Sequence, residues 1–254
     1  MAWDPAQYRK FSGHRMRPAL DLIERVPLDA PQTIADLGCG EGAVTQLLRR
    51  RWPQADLAGV DSSDEMLGVA LRELPDAHWE KADIARWTPP APVDLLFSNA
   101  ALQWLTGHAT LFPRLIEQVR PGGVLAVQMP RNFTARSHTL VTEVARSGPW
   151  REKLVPLLRT EPVAVPEFYY DLLAPRVAEL DIWETEYLQV LAGDNPIAEW
   201  TKGTWRRPLL AALDNAERQS FEAEYRQRIA ENYPPRRDGK TLYPFRRLFI
   251  VARI

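Results

Sequence analysis

Apolar runs and amphipathic stretches alternate along the first half of the chain with a regular beat. Aliphatic runs bounded by turn formers predict strands over 33–37, 56–60, 77–81, 93–98 and 124–129. Apolar residues spaced three and four apart predict helices over 19–26, 43–52, 64–74 and 109–119. Strands that alternate with helices need crossover connections, which give a parallel sheet with helices on both faces. Right-handed crossovers then bring the carboxyl ends of neighbouring strands to one edge. The expected fold is α/β, a doubly wound and mostly parallel sheet.

After Pro130 the beat is lost, and prolines gather at 149, 156, 162, 166 and 175. A structureless loop of that length is uncommon in a compact domain, so 131–177 reads as a mainly helical insertion over the crevice. The alternating stretch 181–191 predicts a sixth strand. A second helical stretch, about 195–235, holds two or three helices, and the aliphatic run 242–253 supplies a seventh strand. Residues 1–18 read as an N-terminal cap. All of this fits one domain over 1–254.

Composition narrows the partners. The 32 basic and 33 acidic residues leave a formal charge of -1, which sets up no global field toward nucleic acid or anionic lipid. Small molecules are the expected partner class. One cysteine, Cys39, allows neither an intrachain disulfide nor a cysteine-rich metal site, and suits a reducing cytosol. No signal segment or membrane-length apolar run is expected, so the reading is a cytoplasmic protein that needs no metal and no membrane.

The richest chemistry sits where the first strand ends, in Asp36-Leu37-Gly38-Cys39-Gly40-Glu41-Gly42. Glycines at 38 and 40 let the backbone take positive φ and approach a ligand closely, and the helix start beyond them offers free amides. A nucleotide-like ligand follows. The spacing Gly38-x-Gly40-x-x-Ala43, with Asp61 about 20 residues on, satisfies the dinucleotide fingerprint, so NAD is a live alternative. Asp36 argues for a ligand with an ammonium group, which S-adenosylmethionine has and NAD lacks.

Asp36, Asp61, Asp83 and Asn99 all fall at or just beyond predicted strand ends, which sends four polar side chains to one crevice. Asp61 can accept two ribose hydroxyls, or it can cap the following helix beside Ser62 and Ser63. Asp83 can take an exocyclic amine while Ile84 packs on the ring, or it can be a solvated turn residue. Trp104 in SNAALQWL can wall the ligand or pack in the core. Tyr8 is a lid candidate or a hydrophobic staple. Cys39, Ser62 and Met66 complete the cofactor set as neighbours of these groups. Pro121-Gly122-Gly123 predicts a turn into the fifth strand.

In order and spacing, ADLGCGEG, GVDSS, ADI, SNAALQWL and PGGVLAVQMP resemble the class I S-adenosylmethionine-dependent methyltransferases over residues 30–130. The resemblance implies a seven-stranded Rossmann-like sheet with an antiparallel last strand. It also implies that Asp36, Gly38 and Gly40 hold the methionine portion, Asp61 the ribose and Asp83 the adenine, with S-adenosylhomocysteine as the product. The flanks WDPAQYRKFSGHRMRPALDLIERVP, EWTKGTW and RLFIVAR are similar to those of the enzymes that methyl-esterify trans-aconitate, which implies a tricarboxylate acceptor. SNAALQW-like segments also occur in enzymes that methylate a malonyl thioester on a carrier, a related alternative.

A carboxylate acceptor is already ionised at neutral pH, since its reference pKa is near 4. No catalytic base is therefore nominated, and none of His14, His78, His108 and His138 is assigned a chemical role. A trianion does call for arginines, whose planar fork matches carboxylate geometry. The candidates are Arg17, Arg207 and Arg247, with Tyr169 and Tyr170 as neutral donors.

Overall fold

A computed structural model describes residues 12–159, 162–203 and 205–254. Tyr8, the candidate for a lid or a hydrophobic staple, lies outside them. The chain forms two compact units. The first comprises Met16–Pro130, Pro162–Thr185 and Arg247–Ile254; the second includes Arg131–Glu161 and Glu186–Arg246.

The first unit takes α1 (Ser12–Glu24) from Met16 onward, then alternates β1 (Thr33–Leu37), α2 (Ala43–Arg51), β2 (Asp56–Asp61), α3 (Asp64–Glu73) and β3 (His78–Lys81). It continues with β4 (Val93–Asn99), α4 (His108–Ile116) and β5 (Val119–Pro130). After the other unit's α5 (Arg136–Ser147) and α6 (Arg151–Leu154) it takes up the chain again with α7 (Pro166–Leu173). The last two strands, β6 (Glu179–Leu191) and β7 (Thr241–Arg253), run on from one unit into the other. Between them lie α8 (Pro196–Lys202), α9 (Arg207–Ala211) and α10 (Asn215–Asn232) of the second unit.

The seven strands make one sheet in the order β3-β2-β1-β4-β5-β7-β6. β1 pairs in parallel with β2 and β4, β2 with β3, and β4 with β5, whereas β7 runs antiparallel to β5. Chain order reverses direction between β1 and β4, so the carboxyl edge opens at that point. The runs are apolar on both faces because helices cover both; β1 buries Ile34, Ala35 and Leu37, and β4 buries Leu95, Leu96 and Phe97. At the opposite edge the buried Asp94 accepts the amides of Gln32 and Thr33 at 2.9 Å and pairs with Arg120, which aligns the starts of β1 and β4.

Two boundaries differ from expectation. α1 starts at Ser12 and continues through Pro18, so Arg17 sits on a helix and not on a separate cap. Proline removes one backbone donor, yet the apolar stripe of Ala19, Leu22 and Ile23 is fully or nearly buried and carries the helix past it. Likewise Pro121-Gly122-Gly123 makes no turn between elements: β5 already begins at Val119 and absorbs the three residues, with Gly122 at φ 80° and its amide bonded to the Ile254 carbonyl.

The second unit has its own core, in which Leu140, Val144, Trp150, Trp200, Phe221, Tyr225 and Tyr243 are buried. Its helix α10 opens on a capping box: the Asp214 carboxylate accepts the Glu217 amide, and Glu217 accepts the Asp214 amide in return. Arg206 is buried here as well, its guanidinium 4.3 Å from the Tyr225 ring centre and bonded to the Thr201 hydroxyl and the Ala198 carbonyl.

Candidate cofactor and acceptor site

The sharp exit from β1 is built by register. Asp36 lies between Gly59 of β2 and Phe97 of β4, so its side chain is enclosed and only 1% exposed. Thr45 on α2 donates its hydroxyl to the carboxylate at 2.7 Å. Burial pushes the Asp36 pKa from its ordinary 3.8 to about 7, opposed by the Thr45 bond and reinforced by the charge of Asp61. A buried acid with a raised pKa at a strand end suits a cationic ligand group, whose binding restores the ionised form.

The glycine loop then turns over the sheet edge. The amides of Gly38 and Cys39 donate to the Val60 carbonyl at 2.8 and 3.2 Å, and Gly38, Gly40 and Gly42 all have positive φ. A methyl group on Gly38 would stand 2.2 Å from the Ala101 Cβ, whereas one on Gly40 would meet nothing within 4 Å. Gly38 is therefore glycine for protein packing. Gly40 borders open space, which a ligand can approach as far as the bare backbone.

Asp61 serves both readings of its position. One oxygen accepts the Gly40 amide at 3.0 Å and the other the Ser63 amide at 2.9 Å, so it braces the glycine loop and the start of α3 at once. The N-cap is Ser63, whose hydroxyl oxygen accepts the Met66 amide. Each carboxylate oxygen keeps a second lone pair, so the ribose role remains open to this half-exposed group. Ser62 is exposed and Met66 is buried on the first turn of α3. The Cys39 thiol is pushed far up by burial and by the two nearby aspartates, which leaves it without thiolate character.

Beyond β3, Asp83 is exposed and its carboxylate accepts the Ala85 amide, forming the turn that presents Ile84. The Ile84 Cδ1 would lie 3.6 Å from a methyl on Gly38, which places Ile84 at the glycine loop. After β4, Asn99 is half-buried and its Oδ1 is enclosed with no donor. Ala100 takes φ 55°, and its amide donates to the Gln128 carbonyl at 2.9 Å. Trp104 closes the short helical turn that follows and is 38% exposed, so it is no core residue.

Three groups that hold this edge were not singled out from sequence. Arg114 on α4 donates to the carbonyls of Ile84, Ala85 and Trp87 at 2.7 to 3.1 Å and so pins the turn after β3. Gln103 donates to the Ala100 carbonyl at 2.6 Å and leaves its own Oε1 without a donor. Gln128 on β5 is fully buried. An arginine in the last turn of α4 and a glutamine inside a buried strand were the available signals.

The acceptor candidates separate. Arg247 is buried at the start of the stretch of β7 that pairs with β5, opposite Pro130, and donates to the Gln128 Oε1 at 3.2 Å. Arg17 is exposed on α1, and Tyr170 is 58% exposed on α7. Arg207 is the half-exposed first residue of α9 and belongs to the other unit. Tyr169 has a different task from the donor role expected of it. It is 0% exposed, and its hydroxyl lies 2.7 Å from the His108 Nδ1 and accepts the Ala164 amide at 3.3 Å. The His108 Nε2 lies 3.0 Å from the Leu102 carbonyl, and burial lowers the imidazole pKa. A neutral ring that donates from Nε2 and accepts at Nδ1 satisfies both bonds.

An edge of this kind, with an acid at each of three strand exits and a glycine turn over open space, defines a class I methyltransferase site, and the residues present fit S-adenosylmethionine. The family model described as a methyltransferase domain matches residues 34–123. The chain is 50% identical over 250 residues to a trans-aconitate 2-methyltransferase from Azoarcus sp., covering 98% of each sequence, and 47% identical over 251 residues to one from Rhodopseudomonas palustris, again covering 98% of each. It thus belongs to the trans-aconitate 2-methyltransferase family of S-adenosylmethionine-dependent enzymes, which replaces the oxidoreductase alternative.

Solved structures agree on the fold. A phosphoethanolamine N-methyltransferase from Haemonchus contortus in complex with S-adenosylhomocysteine superposes with a TM-score of 0.55 at 15% identity, over 93% of this chain. This chain spans about half of that one, 52%. The YcgJ protein of Bacillus gives a TM-score of 0.59 at 12% identity, covering 93% of this chain and 97% of the other.

Proposed function

We propose that this enzyme transfers a methyl group to a carboxylate of trans-aconitate, giving the methyl ester and S-adenosylhomocysteine. The observation that carries the reading is Arg247, a 4% exposed residue opposite Pro130 at the edge where the parallel strands end, two strands from the loop that follows β4. A buried cation at that place suits an anionic acceptor. The names of the relatives support the same acid.

Bound at this edge, S-adenosylmethionine supplies an electrophilic methyl on a sulfonium. The chain's own residues have the simpler task of placement. Asp36 and the Gly38–Gly40 turn hold the methionine end, Asp61 the ribose, and Asp83 with Ile84 the adenine. Asn99 offers a lone acceptor to an amine, and Trp104 borders the donor end. A carboxylate acceptor needs no proton removed, and His108, which follows the loop after β4, has both ring nitrogens bonded inside the fold. Alignment at a near-attack distance of roughly 3 Å and exclusion of water then carry the rate. Arg17 and Tyr170 are further acceptor candidates of the same unit, Arg207 is one in the other unit, and the setting is the cytosol.

Transfer of radiolabelled methyl from S-adenosylmethionine tests the acceptor. Label is expected in trans-aconitate, and label in a malonyl thioester with none in trans-aconitate overturns the assignment.

A further inference from the structure

Three residues near the carboxyl edge of the parallel strands sit in register on adjacent strands. Asn99 of β4 faces Gln128 of β5, which faces Phe249 of β7, and Arg247 stands two residues further along, opposite Pro130. Residues paired in this way share one face of the sheet. Gln128 is bonded in both directions: its carbonyl accepts the Ala100 amide at 2.9 Å, and its side-chain Oε1 accepts the Arg247 Nη1 at 3.2 Å. It is a strut between the loop that borders the cofactor and the guanidinium.

The other half of the same amide is unsatisfied. The Gln128 Nε2 is enclosed and has no acceptor among the described residues, and the Asn99 Oδ1 next to it has no donor. An interior amide donor without an acceptor is costly. With the cofactor at the exits of β1, β2 and β3 and the loop after β4, as proposed above, the edge left for the acceptor is that of β4, β5 and β7. An acid lying there brings the oxygen that the Gln128 Nε2 lacks.

We propose that Gln128 is a positioning residue for Arg247 and that the two form the subsite for a carboxylate of the acceptor that is not methylated, the Oε1 orienting the guanidinium and the Nε2 donating to the same carboxylate. This rests on the acceptor being a polycarboxylate, as proposed above. Specificity follows: an acid with a single carboxylate lacks the group that this pair holds.

Gln128→Glu separates this role from a structural one, because it keeps the volume and the oxygen that Arg247 binds while it neutralises the guanidinium and repels an acid. The KM for trans-aconitate is expected to rise about a hundredfold, with the dissociation constant for S-adenosylhomocysteine within twofold of wild type and the melting temperature retained. Gln128→Met, a second variant that loses both bonds, is expected to raise KM roughly tenfold with a smaller change in kcat. A folded variant of either kind with a wild-type KM overturns the subsite, as does a KM that rises only in step with weaker S-adenosylhomocysteine binding. Wild-type enzyme that labels no trans-aconitate defeats the acceptor reading and the subsite together; wild type that labels it while Gln128→Glu matches it defeats the subsite alone.

Discussion

Asp61 accepts the Gly40 amide at 3.0 Å across 21 residues of sequence, so the loop after β1 is tied to the last residue of β2 before any ligand arrives. The same carboxylate therefore shapes the loop and, in the proposed site, is the group that faces the ribose. A charge-assisted bond of this kind is worth about 1.5–3 kcal/mol.

Removing the carboxylate should act on the cofactor through both routes. Asp61→Ala is expected to weaken S-adenosylhomocysteine binding by roughly a hundredfold or more, the size of two such bonds lost. Asp61→Asn keeps an acceptor for Gly40 and is expected to lose less. Titration calorimetry measures both, and equal loss in the two variants would show that the brace contributes nothing.

The two glycines at 38 and 40 should fail in different ways. Gly38→Ala forces a Cβ to 2.2 Å from that of Ala101 at φ 74°, so the fold itself must shift and the melting temperature should fall by several degrees. Gly40→Ala meets no atom within 4 Å and carries only the strain of φ 57°, about 1 kcal/mol. Its expected signature is a folded protein with weaker cofactor binding. A Gly40→Ala enzyme with wild-type affinity would mean that the ligand does not approach the backbone there.

In the proposed site, Asp36 is expected to make cofactor binding depend on pH. Its folded pKa of about 7 stands above the ordinary 3.8, so the fold favours the protonated acid. The cost to stability begins as pH rises through 3.8 and is complete above about 7, on the order of 4 kcal/mol. A cationic ligand group needs the ionised form, so affinity for S-adenosylhomocysteine should rise with pH up to about 7 and level off, with proton release below it. Asp36→Asn should stabilise the ligand-free protein at pH 8, leave it unchanged near pH 3.5, and flatten the affinity profile. An unchanged profile in that variant would remove Asp36 from the site.

How much of this was readable beforehand follows from distance along the chain. The glycine turn and Asp36 fall within one contiguous stretch, and Asp61 and Asp83 follow from the strand rhythm, so local pattern sufficed to place them. Gln128 and Arg247 meet across 119 residues, through a pairing of β5 with an antiparallel final strand that no local periodicity encodes. Asn99 was legible as a strand end, but its bare Oδ1 depends on the neighbours that register supplies. Pro18 misled because a proline was read as a boundary, and packing of the residues after it outweighed one missing hydrogen bond.

Tyr169 shows the same limit, and its hydroxyl gives the last test. Its sequence neighbours suggested a donor to the acid, whereas the folded chain gives the hydroxyl to His108, 61 residues upstream, and through the imidazole to the Leu102 carbonyl. Tyr169→Phe leaves the His108 Nδ1 and the Ala164 amide each without this partner, at an expected cost of about 1–3 kcal/mol in stability. Because burial lowers the His108 pKa, the neutral ring belongs to the fold and the charged one to the unfolded chain. Stability from this ring is complete above pH 6.5 and declines as pH falls below it, opposite in sign to the effect of Asp36, so in an Asp36→Asn background the proteins with and without Tyr169→Phe should both melt earlier at pH 5 than at pH 7.5. The KM for trans-aconitate should stay within twofold in Tyr169→Phe at a temperature where the variant is folded. A large rise in KM with an unchanged melting temperature would return Tyr169 to the acceptor site.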